Sequence, residues 1–283
     1  MTGTIRTLRC GPHTLELGRR TVIMGILNVT PDSFSDGGRH SDLGQAIARA
    51  EEMVAEGAHI IDVGGESTRP GSAAVTPDEE MRRVLPVIEA LSARIKVPVS
   101  VDTYRSSTAR LALKAGASII NDVWGLQKDP EMAAVASEFG APVVVMHNQR
   151  EAKYISLMDE IVAFLRRSVD LAVSAGLPEE QVLIDPGIGF GKTAQHNLEV
   201  LERLGELKVL GRPILLGTSR KSTIGKVLDL PPDQRLEGTA ATVAIGIAFG
   251  ADIIRVHDIR EMSRVARMAD SIVRPGRGGF TGE

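Results

Sequence analysis

The stretch Val182 to Thr193 reads V-L-I-D-P-G-I-G-F-G-K-T. Its first three residues form a short apolar run, which is typical of a strand buried on both faces in a parallel sheet. Asp185 follows at once, and Pro186 ends the strand because proline has no N–H to donate. Asp185 is therefore predicted at the carboxyl end of a buried strand, where α/β sheets and α/β barrels bind ligands. The alternative is that Asp185 only caps a helix or stabilises a turn.

The glycines of this stretch do not match a nucleotide-binding loop. A P-loop requires glycine five residues before its Gly-Lys-Thr, and Pro186 occupies that position. The dinucleotide fingerprint is G-x-G-x-x-G, whereas this loop reads G-x-G-x-G. Both nucleotide interpretations therefore fail by one residue.

A short apolar run, a loop with polar residues and a helix-period stretch recur eight times along the chain. The runs are Val22–Leu27, Ile60–Val63, Val97–Val101, Ser118–Ile120, Pro142–Met146, Val182–Ile184, Pro213–Leu216 and Asp252–Val256. Amphipathic stretches lie between them, including Gln45–Glu56, Asp78–Arg94 and Ser156–Ala175. Several are followed by a glycine that ends the helix, at Gly57, Gly116, Gly140, Gly176 and Gly250. Eight such units in about 250 residues predict a (β/α)8 TIM barrel, with a doubly wound sheet as the alternative.

The chain is predicted to form one domain, because no linker rich in Pro, Gly or Ser divides it. Residues 1–18 are predicted to form an N-terminal β-hairpin from Ile5–Cys10 and Thr14–Leu17, which covers the amino-terminal mouth of the barrel. Residues 19–275 form the barrel in this interpretation, and residues 276–283 a frayed tail.

Composition excludes several classes of protein. The 283 residues are 43% apolar but only 3% aromatic, with a net charge of −3 and no basic run, which argues against nucleic-acid binding. The single Cys10 rules out an internal disulfide and a cysteine metal cage. The N-terminus lacks a signal-peptide core, and the least polar stretch, Gly238 to Ile254, is too short to span a bilayer. A soluble, cytoplasmic protein with no membrane partner is expected.

Polar residues gather where each apolar run ends. In chain order they are Asn28, Gly64–Pro70, Asp102, Asn121 and Asp122, His147 and Asn148, Asp185, Ser219–Ser222, and Arg255 with His257. In a barrel these positions share one end, which carries the active site, while the opposite end mainly serves stability.

Part of this end is predicted to bind a planar heterocycle. Asp102, Asp185 and Asn121 offer acceptors, which suit a neutral ligand with several N–H donors on one edge, such as an aminopyrimidinone. Lys221 adds a point charge and a donor for a ring carbonyl or nitrogen. The alternative for the acids is an internal salt bridge with Lys221 or Arg255.

The other part is predicted to be cationic. Arg255 and His257 are two residues apart on one strand and face the same way, an arrangement that suits a phosphate or diphosphate. Asn28 lies beside them if the first and eighth strands are neighbours, and its amide oxygen suits a hard divalent ion. The alternative for Arg255 and His257 is a solvated strand end.

Three loops add to the predicted site. Thr30 to Gly38 reads T-P-D-S-F-S-D-G-G and Gly64 to Gly71 reads G-G-E-S-T-R-P-G; loops of this kind at a barrel mouth often act as lids, although each could be an ordinary surface loop. The segment from Gly217 to Ser222 is typical of a helix start, whose free N–H groups could hold a carboxylate.

Together these stretches resemble the dihydropteroate synthases, the pterin-binding enzymes of folate biosynthesis. The resemblance covers nearly the whole chain and rests on Met24–Gly38, Ile61–Ser72, Val99–Asp102, Ile119–Asp122, Val182–Thr193, Leu216–Ser222 and Arg255–Asp258, in the right order. It implies a (β/α)8 barrel, a homodimer and a sulfonamide target. It also implies that 6-hydroxymethyl-7,8-dihydropterin diphosphate and 4-aminobenzoate condense to 7,8-dihydropteroate and diphosphate, with Mg²⁺.

The resemblance also implies a role for each matching residue. Asp102, Asn121 and Asp185 would bind the pterin edge, with Lys221 on the ring. Asn28 would bind Mg²⁺, and the diphosphate would contact Thr68, Arg255 and His257. The aminobenzoate side would be formed by Phe34, Asp36, Arg69, Pro70, Phe190 and Ser222. Asp36, Asp185 and Lys221 would be the catalytic residues, and no covalent nucleophile is expected.

Two positions depart from the usual family pattern. The segment Met146–Arg150 follows only one variant of the family, so His147 receives no role, and Thr223 stands where a bulkier apolar residue is common. Two other functions are considered: a methyltransferase that passes a methyl group from a folate to a corrinoid protein, and a non-catalytic pterin-binding module. The methyltransferase would not need Asn28, Arg255 and His257, and a decayed module should have lost Lys221 or the Asp36 loop.

Overall fold

A computed structural model describes residues 5–29, 38–66 and 75–274 of the chain. The strands in this part are β1 (Arg6–Cys10), β2 (His13–Leu17), β3 (Val22–Asn28), β4 (Ile60–Gly64), β5 (Val99–Asp102), β6 (Ile119–Asp122), β7 (Val143–Met146), β8 (Val182–Asp185), β9 (Leu215–Leu216) and β10 (Ile253–Val256). Strands β3 to β10 are parallel and neighbour one another in the order β8-β7-β6-β5-β4-β3-β10-β9. A bridge between Ile184 and Ile214 brings the two ends of the sheet together. The predicted barrel is confirmed, and the doubly wound alternative is wrong.

Helices separate the barrel strands along the chain. The α-helices of the described part are α1 (Gly38–Ala55), α2 (Pro77–Arg94), α3 (Ser106–Lys114), α4 (Met132–Phe139), α5 (Leu157–Ser174), α6 (Ala194–Glu202), α7 (Ser222–Leu228), α8 (Leu236–Phe249) and α9 (Ile259–Val273). The five glycines predicted to end helices all have positive φ, the backbone region that glycine enters without a steric cost. No helix among the described residues combines the length and hydropathy needed to cross a membrane.

The predicted element boundaries differ from the observed ones in two instructive places. Helix α1 begins at Gly38 rather than Gln45, because sequence periodicity detects the apolar face, whose buried residues include Ala46, Ile47 and Ala50. Strand β9 contains only Leu215–Leu216, although the predicted run began at Pro213, which has no N–H for a strand ladder.

The barrel interior is apolar at its amino-terminal end. Strand residues on the inner face form one buried cluster with side chains from the β1–β2 hairpin: Val22, Met24, Ile60, Ile119, Val144, Leu183, Leu215 and Ile253 with Leu8, Cys10 and Leu17. The hairpin therefore packs against the amino-terminal end of the barrel, as the sequence predicted. A larger cluster lies between the outer faces of the strands and the helices. Residues 276–283, the predicted tail, lie outside the described residues.

Candidate active site

Polar strand ends meet in one cavity at the carboxyl end of the barrel, which we call the mouth cavity. Its volume is about 250 Å³. Nine residues singled out in the sequence line it: Asn28, Asp102, Asn121, Asp185, Phe190, Lys221, Ser222, Arg255 and His257. The other five, Phe34, Asp36, Thr68, Arg69 and Pro70, lie outside the described residues. The structure therefore brings together every predicted site residue that it describes.

Asp185 stabilises a turn and lines the mouth cavity at the same time. Its Oδ1 accepts a hydrogen bond from the backbone N–H of Gly187 at 2.7 Å. Asp185 therefore does stabilise a turn, but this is not its only contact with its surroundings, because it also lines the cavity. Burial raises the pKa of Asp185 to about 6, against lowering by the Gly187 hydrogen bond and by Lys221, Lys192 and Arg255. A carboxylate with one oxygen committed to the turn presents its second oxygen as the acceptor for a ligand.

Lys192 is hydrogen-bonded to the loop that follows Asp185, which contains Gly187, Gly189 and Gly191. Its Nζ lies 2.8 Å from Nδ1 of His147, 3.1 Å from the carbonyl of Gly187 and 3.2 Å from that of Phe190. An ammonium has three donors, and here it has three acceptors. Burial lowers the pKa of Lys192 to about 7 and that of His147 to about 3, so His147 is neutral and accepts through Nδ1. Sequence reasoning missed this role of Lys192.

Glycines let the same loop approach its neighbours closely. A Cβ on Gly187 would overlap the His147 carbonyl oxygen, and Gly187 has a φ of +72°. A Cβ on Gly189 would lie 3.1 Å from Cδ of Lys221, and its φ is +84°. Glycine is therefore required at Gly187 by space and by backbone conformation, and it is favoured at Gly189 by backbone conformation. The outcome is a close contact between Lys221 and Phe190, in which Nζ lies 4.3 Å from the ring centroid.

Asn197 connects this loop to the start of helix α7. Its Oδ1 accepts from the backbone N–H of Gly189 at 2.8 Å, and its Nδ2 donates to Oγ1 of Thr223 at 3.0 Å. Helix α7 begins at Ser222, as the sequence predicted. The Asn197 side chain thereby joins the residue before Phe190 to the residue after Ser222. Nothing in the sequence pattern marked Asn197.

Arg255 is paired with two carboxylates. Its Nε donates to Oδ2 of Asp62 at 2.6 Å, and its Nη2 donates to Oδ2 of Asp102 at 2.7 Å. The predicted division of the mouth into an acidic part and a cationic part is therefore not the observed arrangement, because the long arginine side chain reaches the acids on β4 and β5. The salt-bridge alternative is correct for Asp102. Burial raises the pKa of Asp102, whereas Arg255 and Lys221 lower it.

Asp62 is another residue that the sequence analysis overlooked. It was part of the apolar run Ile60–Val63, yet its side chain is completely buried and also accepts from Nδ2 of Asn121 at 3.0 Å. The available signal was a charged residue inside a buried strand. An acid at such a position is rare unless it is paired.

Asn28 and His257 complete the mouth cavity from neighbouring strands. Strand β10 pairs with β3, and Arg255 is the register partner of Met24, so the predicted closeness of Asn28 to the end of β10 is confirmed. Nδ1 of His257 lies 2.9 Å from Oγ of Ser219, which orients the imidazole ring. Arg235, from the loop before α8, also lines the cavity and was not predicted.

The chain is similar to known proteins over nearly its whole length. The family described as pterin binding enzyme matches residues 24–257. The dihydropteroate synthase of Bacillus subtilis is 54% identical over 265 residues, which are 94% of this chain and 93% of that protein. A Clostridium difficile dihydropteroate synthase structure, solved with pteroic acid, is 54% identical, with a TM-score of 0.90 and coverage of 92% and 99% of the two chains.

A second similar structure was solved with 4-aminobenzoic acid. The dihydropteroate synthase of Xanthomonas albilineans with 4-aminobenzoic acid is 41% identical, with a TM-score of 0.91 and coverage of 95% of this chain and 98% of that one. The match spans β3 to β10, the same strands whose ends form the mouth cavity. The chain therefore belongs to the pterin binding enzyme family.

Proposed function

We infer that this chain is a dihydropteroate synthase, which condenses 6-hydroxymethyl-7,8-dihydropterin diphosphate with 4-aminobenzoate to 7,8-dihydropteroate and diphosphate. The observation that carries the inference is the single cavity that joins Asp102, Asn121 and Asp185 to Lys221 and Arg255. The similar structures with pteroic acid and 4-aminobenzoic acid support it, because the product of the reaction contains both units.

The pterin ring is proposed to bind among the strand ends. Its aminopyrimidinone edge carries several N–H donors, which match the acceptors of Asp102, Asn121 and Asp185. Ile26, Met146 and Ile188 line the same cavity and offer apolar surface to the ring faces. Lys221, whose ammonium lies over the ring of Phe190, supplies a donor to a ring oxygen or nitrogen of the pterin.

The diphosphate is proposed to lie toward Asn28, Arg255 and His257, with a contact from Thr68. Among the described residues, no group of three or more His, Cys, Asp or Glu side chains is arranged to hold a metal ion. Asn28 lines the cavity, and its amide oxygen would hold a Mg²⁺, a hard ion that needs few protein ligands. When bound, such an ion neutralises negative charge on the leaving diphosphate.

The chemistry is proposed to proceed by SN1-like loss of diphosphate. The bond between the pterin methylene carbon and the diphosphate oxygen breaks, and its electron pair leaves with the diphosphate. The cation that remains is conjugated to the dihydropterin ring, where Asp185 and Asp36 stabilise it. The aminobenzoate nitrogen then forms the new bond to the methylene carbon and loses a proton. The arylamine needs positioning more than it needs a strong base.

The 4-aminobenzoate is proposed to bind on the outer side of the pterin. Ser222 and the first N–H groups of helix α7 would hold its carboxylate. Phe190 would pack against the benzene ring, and Phe34, Asp36, Arg69 and Pro70 would close over it. The hydrogen bonds of Asn197 to Gly189 and Thr223, which are the neighbours of Phe190 and Ser222, would help to fix the width of this space.

The direct test is to incubate the purified protein with both substrates and Mg²⁺ and to measure diphosphate and dihydropteroate. One diphosphate per dihydropteroate is expected, with none of the condensed product when either substrate is omitted. Pterin binding without any turnover would instead support the non-catalytic module. Pterin binding that is indifferent to the diphosphate would support the methyltransferase.

The homodimer is also a proposal, which rests on the family resemblance. Light scattering combined with size exclusion should give twice the 30.3 kDa mass of the chain. A mass of one chain at micromolar concentration would contradict it.

A further inference from the structure

Asp62 lies inside the barrel, between the apolar cluster and the mouth cavity. On β4 the residues Ile60, Asp62 and Gly64 share the inner face, because successive residues of a strand alternate between its two faces. Ile60 belongs to the buried inner cluster, and Gly64 pairs in register with the cavity residue Asp102. Asp62 therefore lies two residues before the cavity end of β4 and does not itself line the cavity.

The carboxylate of Asp62 is unusual in its hydrogen bonding. Its Oδ2 accepts from both Asn121 and Arg255, while its Oδ1 has no partner among the described residues, although the side chain is completely buried. A buried carboxylate with an unpaired oxygen costs stability, so its retention needs a reason other than packing. The two partners, which both line the mouth cavity, provide that reason.

The first consequence concerns the amide of Asn121. An ionised carboxylate only accepts hydrogen bonds, so the group that Asn121 turns toward Asp62 must be its NH₂. The amide oxygen then points to the other side, into the mouth cavity, as a third acceptor beside Asp102 and Asp185. If the amide turned over, its NH₂ would oppose the N–H groups of a pterin edge.

The second consequence concerns the guanidinium of Arg255. Contacts from Nε to Asp62 and from Nη2 to Asp102 fix the plane of the group at two points. A planar fork held at two points loses little conformational freedom on ligand binding. The contact with Nη2 also holds Asp102, so Asn121, Asp62, Arg255 and Asp102 form one connected network.

We propose that Asp62 is a positioning residue that sets the acceptor pattern of the pterin subsite, by fixing the amide of Asn121 and the guanidinium of Arg255. This inference rests on the proposed function, because the ligand whose N–H edge is read is a pterin. It adds to that function a residue that does not touch the ligand but determines which heterocycle edge the cavity accepts.

The test exchanges the two hydrogen-bonding groups. The variants are Asn121→Asp, and Asp62→Asn combined with Asn121→Asp. The dissociation constant of 6-hydroxymethyl-7,8-dihydropterin diphosphate is measured by calorimetry with Mg²⁺ and without 4-aminobenzoate. Binding is thus measured without turnover, and the inference can fail independently of the catalytic assignment.

The single Asn121→Asp variant should bind the pterin about 100-fold more weakly, because two carboxylates then face each other across the former contact. In the exchange variant, the new amide at position 62 donates to the new carboxylate at position 121, whose second oxygen again accepts in the cavity. Affinity should recover at least about tenfold over the single variant.

Asp122→Asn is the matched control. Asp122 is a buried acid next to Asn121, but its carboxylate accepts from the backbone N–H groups of Trp124 and Leu126, both at 2.8 Å, and holds a turn. This variant should lower the melting temperature while the pterin affinity stays within about threefold of the wild type.

Recovery in the exchange variant, with an unaffected control, supports the proposal. Recovery of less than about threefold over Asn121→Asp overturns it. If Asn121→Asp does not fold, steady-state kinetics of Asp62→Asn decide instead. A rise in the pterin KM of about tenfold with an unchanged 4-aminobenzoate KM supports the proposal, and an equal rise in both overturns it.

Discussion

The two ends of the barrel use the same strands for opposite purposes. On β8, β6 and β10 a buried apolar residue at the amino-terminal end is followed two residues later by a polar residue of the mouth cavity: Leu183 and Asp185, Ile119 and Asn121, Ile253 and Arg255. Two residues along a strand are about 7 Å apart. The residues that stabilise the barrel and those that line the mouth cavity are therefore only two positions apart on the same strand. Substitutions at these two kinds of position should nevertheless have separable effects.

The apolar end gains its stability from burial alone. Leu8, Cys10 and Leu17 of the hairpin complete a cluster in which every strand of the barrel except β5 takes part. The polar end lowers the stability of the fold, because Asp102 and Asp185 are buried acids whose pKa values are raised by burial away from water. Substitutions at the polar end should therefore mainly lower activity, and substitutions at the apolar end should mainly lower stability.

The largest expected effect is on catalysis, from Asp185→Asn. Since Oδ1 already accepts from Gly187, the new NH₂ group would point into the mouth cavity and oppose the N–H donors of the pterin. We expect a loss of about 3–5 kcal/mol in transition-state binding, measured as kcat/KM for the pterin diphosphate. The free energy of unfolding should change by less than about 1 kcal/mol. A loss of less than about tenfold in kcat/KM would count against the role of Asp185.

The matching substitution at the apolar end is Leu183→Ala, two residues earlier on the same strand. Leu183 is completely buried, so its truncation leaves a cavity and should lower the free energy of unfolding by about 2–5 kcal/mol in guanidinium denaturation. The kcat/KM of the folded enzyme should stay within about threefold of the wild type. A catalytic loss as large as that of Asp185→Asn would show that the two levels are not separable.

The acidity of Asp185 gives a smaller effect in the wild-type enzyme. Burial raises its pKa to about 6, and only the ionised form offers the oxygen that faces the cavity as a charged acceptor for the pterin edge. The kcat/KM for the pterin diphosphate should therefore fall as the pH decreases through about 6, by up to about tenfold per pH unit. A profile that is flat between about pH 5 and 7 would contradict the assigned acceptor.

The smallest expected effect is a shift of that profile by Lys192→Met. Lys192 is one of the cations that lower the pKa of Asp185, so its removal should move the acid limb to higher pH. Lys128→Met is the control, because Lys128 lies over the rings of Tyr104 and Trp124 and should leave the limb in place. If both variants gave the wild-type profile, Lys192 would have no electrostatic influence on Asp185.

Sequence reasoning identified the parts of this arrangement that are local in the chain. The eight apolar runs, the helix-ending glycines and the polar strand ends each follow from a pattern of a few residues. Because parallel strands of a barrel end at one face, the positions of Asp102, Asn121 and Asp185 followed from the fold itself. The closeness of Asn28 to the end of β10 followed from the closure of the barrel.

The parts that were missed depend on partners that are distant in the chain. Asp62 meets Asn121 and Arg255, 59 and 193 residues away, and no local pattern indicates such a contact. Lys192 was judged only as the lysine of a failed P-loop, because its partner His147 belongs to another strand end. The Arg255 side chain reaches Asp62 and Asp102 and so joins the cationic and acidic parts of the mouth. This contact likewise depends on the folded structure and not on a local sequence pattern.

The most direct test of the account is a crystal structure of the protein with 6-hydroxymethyl-7,8-dihydropterin diphosphate bound. The N–H groups of the pterin should lie about 2.7–3.2 Å from the carboxylates of Asp102 and Asp185 and from Oδ1 of Asn121. Asp62 should keep its contact with the NH₂ group of Asn121, and the diphosphate should extend toward Asn28 and His257. A pterin bound outside the mouth cavity, or one whose N–H edge faces away from Asp185, would contradict the account.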